Sequence, residues 1–93
     1  MRITGYIEHP IFKITIFKMD NKFSVKFETG LFEQTYKFRT GDGIEKEQDI
    51  RDLVDATFIE EVSQHFQAMN ITRTNSLAKR MQGDALDEFE VII

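Results

Sequence analysis

Ninety-three residues with no cysteine make one small domain that no disulfide or thiolate–metal site can staple. Hydrophobic residues are 41% of the chain and include nine Phe, so the core must hold the fold, and self-association is an expected further source of burial. Net charge is −4 but unevenly spread: residues 1–39 carry seven bases and four acids (+3), residues 40–93 five bases and twelve acids (−7).

Residues 2–8 alternate weakly, with Ile3, Gly5 and Ile7 on one side. A tight turn at His9-Pro10 would set Ile7 against Phe12 and Ile3 against Ile16. A trans proline is disfavoured at the second central position of such a turn, so a cis bond or a longer link is expected. Gly5 marks a bulge or a close approach by another element.

Three strand-like runs follow, at 11–19, 22–28 and 32–39. A two-residue turn at Asp20-Asn21 sets Phe17 against Ser24, Ile16 against Val25, Ile14 against Phe27 and Lys13 against Glu28. A turn at Thr29-Gly30 would set Phe27 against Phe32, Lys26 against Glu33 and Phe23 against Tyr36. One face then gathers Phe12, Ile14, Ile16, Phe23, Val25, Phe27, Phe32, Tyr36 and Phe38. The other gathers Lys13, Thr15, Phe17, Lys22, Ser24, Lys26, Thr35, Lys37 and Arg39, with Tyr6 at its margin. A one-residue slip would scramble this sorting, because side chains alternate with period two.

Thr40-Gly41-Asp42-Gly43 is a loop where the apolar period changes from two to 3.6. Leu53, Val54, Phe58, Val62, Phe66 and Met69 then mark an amphipathic helix over 44–70. Asp42 and Glu45 resemble its N-cap, and Glu45, Glu47 and Asp49 complement its dipole. Its stripe is the natural cover for the Phe-rich face. A second, shorter helix is expected at 74–82, capped by Asn75 or Ser76 and stopped by Gly83. Phe89, Val91, Ile92 and Ile93 belong to a terminal strand over 89–93, placed on this sheet or a neighbour's. The class is therefore α+β: a four-stranded antiparallel meander, a long covering helix, a short helix and a C-terminal strand.

Catalytic constellations do not assemble from these residues. His65 follows Glu61 by one helical turn, but a zinc site needs three or four converging ligands. His9 sits beside Pro10 at a strand boundary. Asp49, Asp52, Asp55, Glu60 and Glu61 read as the wet side of a helix. Ser24, Ser63 and Ser76 lack a nucleophile elbow, and Gly41-Asp42-Gly43 is too short to cradle phosphate. No cofactor, metal or catalytic residue is assigned, and an enzyme is not expected. No run reaches membrane-spanning length and the first residues lack the apolar core of a secretory leader, so a cytoplasmic protein is expected and the sequon at Asn70-Ile71-Thr72 is read as chance.

A non-catalytic interaction or assembly module results, its partner a second copy in a homodimer or larger assembly, with Phe17, Met19 and the 89–93 strand as adhesive surface. The alternative is single-stranded nucleic acid held on the outer sheet face, where Lys13, Lys22, Lys26, Lys37 and Arg39 track phosphates and Phe17 stacks on a base. Four antiparallel strands followed by a long helix is also an order similar to the Whirly type of single-strand-binding fold, and that likeness implies the same use of the sheet.

Overall fold

The structure is a computed structural model that describes residues 1–86. It forms two compact units that divide after Ser63. The first contains four strands, β1 (Arg2–Ile7), β2 (Lys13–Met19), β3 (Lys22–Thr29) and β4 (Phe32–Arg39), paired antiparallel in the order β1-β2-β3-β4, and the short helix α1 (Glu47–Leu53). A long helix, α2 (Ala56–Leu86), begins in the first unit and supplies the described part of the second. The α+β class and the meander are as the sequence predicts. The strand expected at 89–93 lies outside the described residues.

Pairing of β2 with β3 matches the expected register at every residue, from Lys13 against Glu28 to Met19 against Lys22. Asp20 takes the left-handed conformation (φ 45°) in that turn, which Asp tolerates because its short side chain bonds locally. Pairing of β3 with β4 differs. Val25 faces Tyr36, Phe27 faces Gln34 and Glu28 faces Glu33, a shift of two residues from expectation. The turn is Gly30-Leu31, with Gly30 at φ 55° in the first central position, where hairpin turns favour glycine. Lys26 therefore faces Thr35 rather than Glu33, and its ion pair is with Glu28 on its own strand, at 3.9 Å.

β1 joins β2 through a five-residue link, 8–12, instead of a tight turn. His9 organises it: Nδ1 accepts from the backbone N–H of Ile11 (3.1 Å) and Phe12 (3.2 Å), and the ring stacks on Phe12 at 4.9 Å. The longer link sets Ile7 against Ile14 instead of Phe12. A bulge at Thr4 then reverses the side-chain sense, so that Gly5 faces Ile16 and Ile3 faces Phe17 on the outer side. Both readings of Gly5 hold, for a helix also approaches it. A Cβ there would lie 2.6 Å from Arg51 Nη2 and Glu47 Oε2, the ion pair of α1 that crosses this point.

Residues 44–70 are not one helix, and 74–82 is not a separate one. The chain breaks after Leu53, where Val54 N–H still reaches the Ile50 carbonyl, and α2 starts afresh under an Asp55 cap whose Oδ1 accepts from Phe58 N–H at 2.9 Å. From there α2 runs through Asn70, Asn75 and Gly83 without interruption. Asn, Thr and Ser are only mildly unfavourable inside a helix, and Gly costs about 1 kcal/mol relative to Ala, so without proline none forces a stop. The α1 cap also differs from expectation: Asp49, not Asp42, accepts from the N–H groups of Glu45 (2.8 Å) and Lys46 (3.0 Å).

The core of the first unit lies between the inner sheet face and the two helix segments. Ile14, Ile16, Val25, Phe27, Ile50 and Val62 are fully buried. Phe58 stacks on Phe27 at 5.7 Å and meets Tyr36 edge-on at 5.1 Å, while Gln34 Nε2 donates to the Val62 carbonyl. Each such apolar side chain contributes roughly 1.5–3 kcal/mol by burial.

Candidate interaction surfaces

The opposite sheet face carries the basic residues. Registers place Met19, Lys22 and Arg39 in one cross-strand row, and Ile3, Phe17, Ser24 and Lys37 in the next. Tyr6, Thr15, Lys26 and Thr35 form a third row, and Lys13, Glu28 and Glu33 a fourth. All six residues predicted for this face, Lys13, Phe17, Lys22, Lys26, Lys37 and Arg39, share it. Ser24 and Thr15 are nearly buried, at 6% and 3% exposure, because longer neighbours flank these small side chains. Lys26 Nζ lies 5.5 Å from the centre of the Phe17 ring, a cation–π contact, while Tyr6 and Ile3 remain half exposed. Five bases and two acids occupy this face in a chain of net charge −4. Simple alternation places Ile3 on the core side; only the bulge at Thr4 brings it here, and no local sequence signal separates the two cases.

Within the described residues β4 pairs on one side only, with β3. Its inward residues Phe32, Gln34, Tyr36 and Phe38 are half-buried, and its outward Glu33, Thr35, Lys37 and Arg39 are exposed. Tyr36 OH donates to Gln34 Oε1; burial, and then the charge of Glu61, push its ionisation above the ordinary phenol value.

The described part of the second unit is helix alone. From Gln64 to Gln82 only Phe66 is buried and Met69 half-buried. Ile71, Leu77 and Met81 are 59%, 46% and 70% exposed. Arg73, Lys79 and Arg80 lie in a stretch, 62–83, that contains no acid. Expectation of two separate helices concealed this continuous segment.

Beside the β1–β2 link, His9, Ile11, Phe12, Ala56, Ile59, Glu60 and Ser63 line a cleft of about 420 Å³. Ser63 and His9 share it, but His9 Nδ1 is engaged by two backbone amides, so that nitrogen is not available as a base toward a hydroxyl. His65 is exposed. Among the described residues no three His, Asp or Glu side chains gather as metal ligands, and no helix is long and apolar enough to cross a membrane. Phe89, Val91, Ile92 and Ile93 lie outside the described residues. No family model, curated protein or solved structure matches this chain.

Proposed function

We propose that this chain is a non-catalytic interaction module that assembles with copies of itself. The observation that carries the reading is the exposure of Ile71, Leu77 and Met81 along α2. A helix draws most of its stability from packing one face, and this stretch buries little of its apolar surface within its own chain. Leu77 and Met81 are four residues apart and so share a face, which a second copy would cover. A cytoplasmic setting belongs to the same proposal, since a chain with no cysteine draws nothing from an oxidising compartment. Sedimentation equilibrium over a wide concentration range tests it. The intact chain is expected to be a dimer or larger, and Leu77→Glu with Met81→Glu to weaken association at least about tenfold, roughly 1.4 kcal/mol. An intact chain that stays monomeric at every concentration sinks the proposal.

One observation favours a second reading, single-stranded nucleic acid on the outer sheet face: five bases surround Phe17 and Tyr6 in an otherwise acidic chain. Lys and Arg would neutralise phosphates while the rings stack on bases. A labelled oligonucleotide is expected to bind at about 50 mM salt and to lose affinity steeply as salt rises, with Phe17→Ala and Lys26→Glu each weakening it. Absence of binding at that salt removes this reading.

A further inference from the structure

We infer that the outer sheet face seats two successive nucleotides of an extended single strand, one on each of two cross-strand rows. One base stacks on Phe17 with its phosphate at Lys37, and the other on Tyr6 with its phosphate at Lys26. The inference rests on the nucleic-acid reading of this face and assigns its contacts. Both rows have the same order across the sheet. In one, Phe17 on β2 is followed by Ser24 on β3 and Lys37 on β4; in the other, Tyr6 on β1 is followed by Thr15 on β2 and Lys26 on β3. A ring, a small hydroxyl residue and a cation thus stand side by side twice, offset by one strand. Thr15 and Ser24 are nearly buried, at 3% and 6% exposure, and floor a shallow trough between ring and cation.

Spacing selects the ligand. The rows lie two residues apart along the strands, about 7 Å, roughly twice the 3.4 Å rise of stacked bases. Two bases seated on these rings are drawn apart, each stacking on a side chain instead of on its neighbour, which a duplex does not permit. Charge fixes where the strand runs. These rows and the adjoining one, Met19, Lys22 and Arg39, carry four bases and no acid, whereas the row on the other side joins Lys13 to Glu28 and Glu33. The strand therefore continues toward Lys22 and Arg39, and the acidic row ends the site. Lys26 Nζ, 5.5 Å from the centre of the Phe17 ring, stands where the first base would stack. Its ion pair with Glu28 is long, at 3.9 Å, and gives way readily to a phosphate. Because Thr15 and Ser24 are nearly buried, no described side chain in the trough reads a sugar hydroxyl, and DNA and RNA are bound alike.

Fluorescence anisotropy at about 50 mM salt, with labelled oligothymidylate, oligouridylate and a duplex of equal length, tests the assignment. The two single strands are expected to bind within about threefold of each other, and the duplex at least about tenfold more weakly. Tyr6→Leu and Phe17→Leu should each weaken binding at least about fivefold, while Tyr6→Phe leaves it unchanged. Lys37→Gln and Lys26→Gln should each flatten the fall of log K with log salt by about 0.7, and Lys13→Gln should not. Tyr6 is half exposed, so Tyr6→Leu carries the ring test even where circular dichroism shows Phe17→Leu unfolded. If duplex binds as tightly as single strand, or Tyr6→Leu has no effect while the lysine variants do, the ring seats are overturned and the nucleic-acid reading stands. A slope change in Lys13→Gln equal to that in Lys37→Gln overturns the course of the strand. Strict preference for one sugar overturns the trough. Polyglutamate binding as tightly as the oligonucleotides assigns the face to acidic polypeptide and overturns both inference and reading. If neither single strand binds, both fall as well.

Discussion

Asp49 is the residue on which the start of α1 depends. Two backbone N–H groups, from Glu45 and then Lys46, hold its carboxyl below the ordinary carboxylate range. A depressed carboxyl contributes stability that is fully present above its unfolded-state pKa and is lost as pH falls through the folded one. Unfolding midpoints measured from about pH 5 downward should therefore drop more in the parent than in Asp49→Asn, which keeps an acceptor but no charge. Parallel curves would show that the cap carries no ionic component. Sequence pointed to the wrong acid here: Asp42 and Glu45 satisfy the spacing of a cap, but Asp49 performs it by reaching back to residues that precede the helix. His9 offers a similar lesson. Its place beside Pro10 was legible, yet its use as an acceptor for two amides depends on the conformation of the whole 8–12 link.

Among the secondary-structure elements, the helix boundaries and the β1–β2 and β3–β4 registers departed from expectation, for different reasons. Apolar spacing runs on from Leu53 through Val54 to Phe58 and conceals the break that Asp55 caps. Asp55→Ala should lower stability by about 1 kcal/mol while Asp55→Asn changes it little, measured by urea denaturation, because Asn also accepts from the N3 amide. Equal loss in both variants would assign the effect to something other than the cap. The β2–β3 register was legible because only one turn fits both runs. The β3–β4 register was not, since a shift of two preserves every inward and outward assignment; the placement of Gly30 at φ 55° decides it. Parity survives such a shift, which is why the faces were sorted correctly although the partners were not.

At the scale of the whole molecule, charge is partitioned by surface more than by position in the chain. Five of the first part's seven bases gather on the outer sheet face, the acids of α1 and early α2 stand on the covering helices, and α2 carries no acid from Val62 to Gly83. An even split of the sequence into basic and acidic parts merged the last two. The exposed apolar residues that carry the proposed assembly lie in that same acid-free stretch, which reads from sequence as the end of the 44–70 helix, a short link and a second helix at 74–82.

From the amino-acid order alone came the fold class, the two faces of β2, β3 and β4 and the burial of Phe12, Ile14, Ile16, Phe23 and Phe27, because period-two alternation and helical spacing are local properties. Only tertiary structure decided that Ile3 turns outward at a bulge, that Gly5 lies beneath the Arg51–Glu47 pair, that among the described residues β4 pairs on one side alone and that Leu77 and Met81 are exposed. Each of these is set by what lies against a residue from a distant part of the chain, and neither alternation nor helical spacing records that.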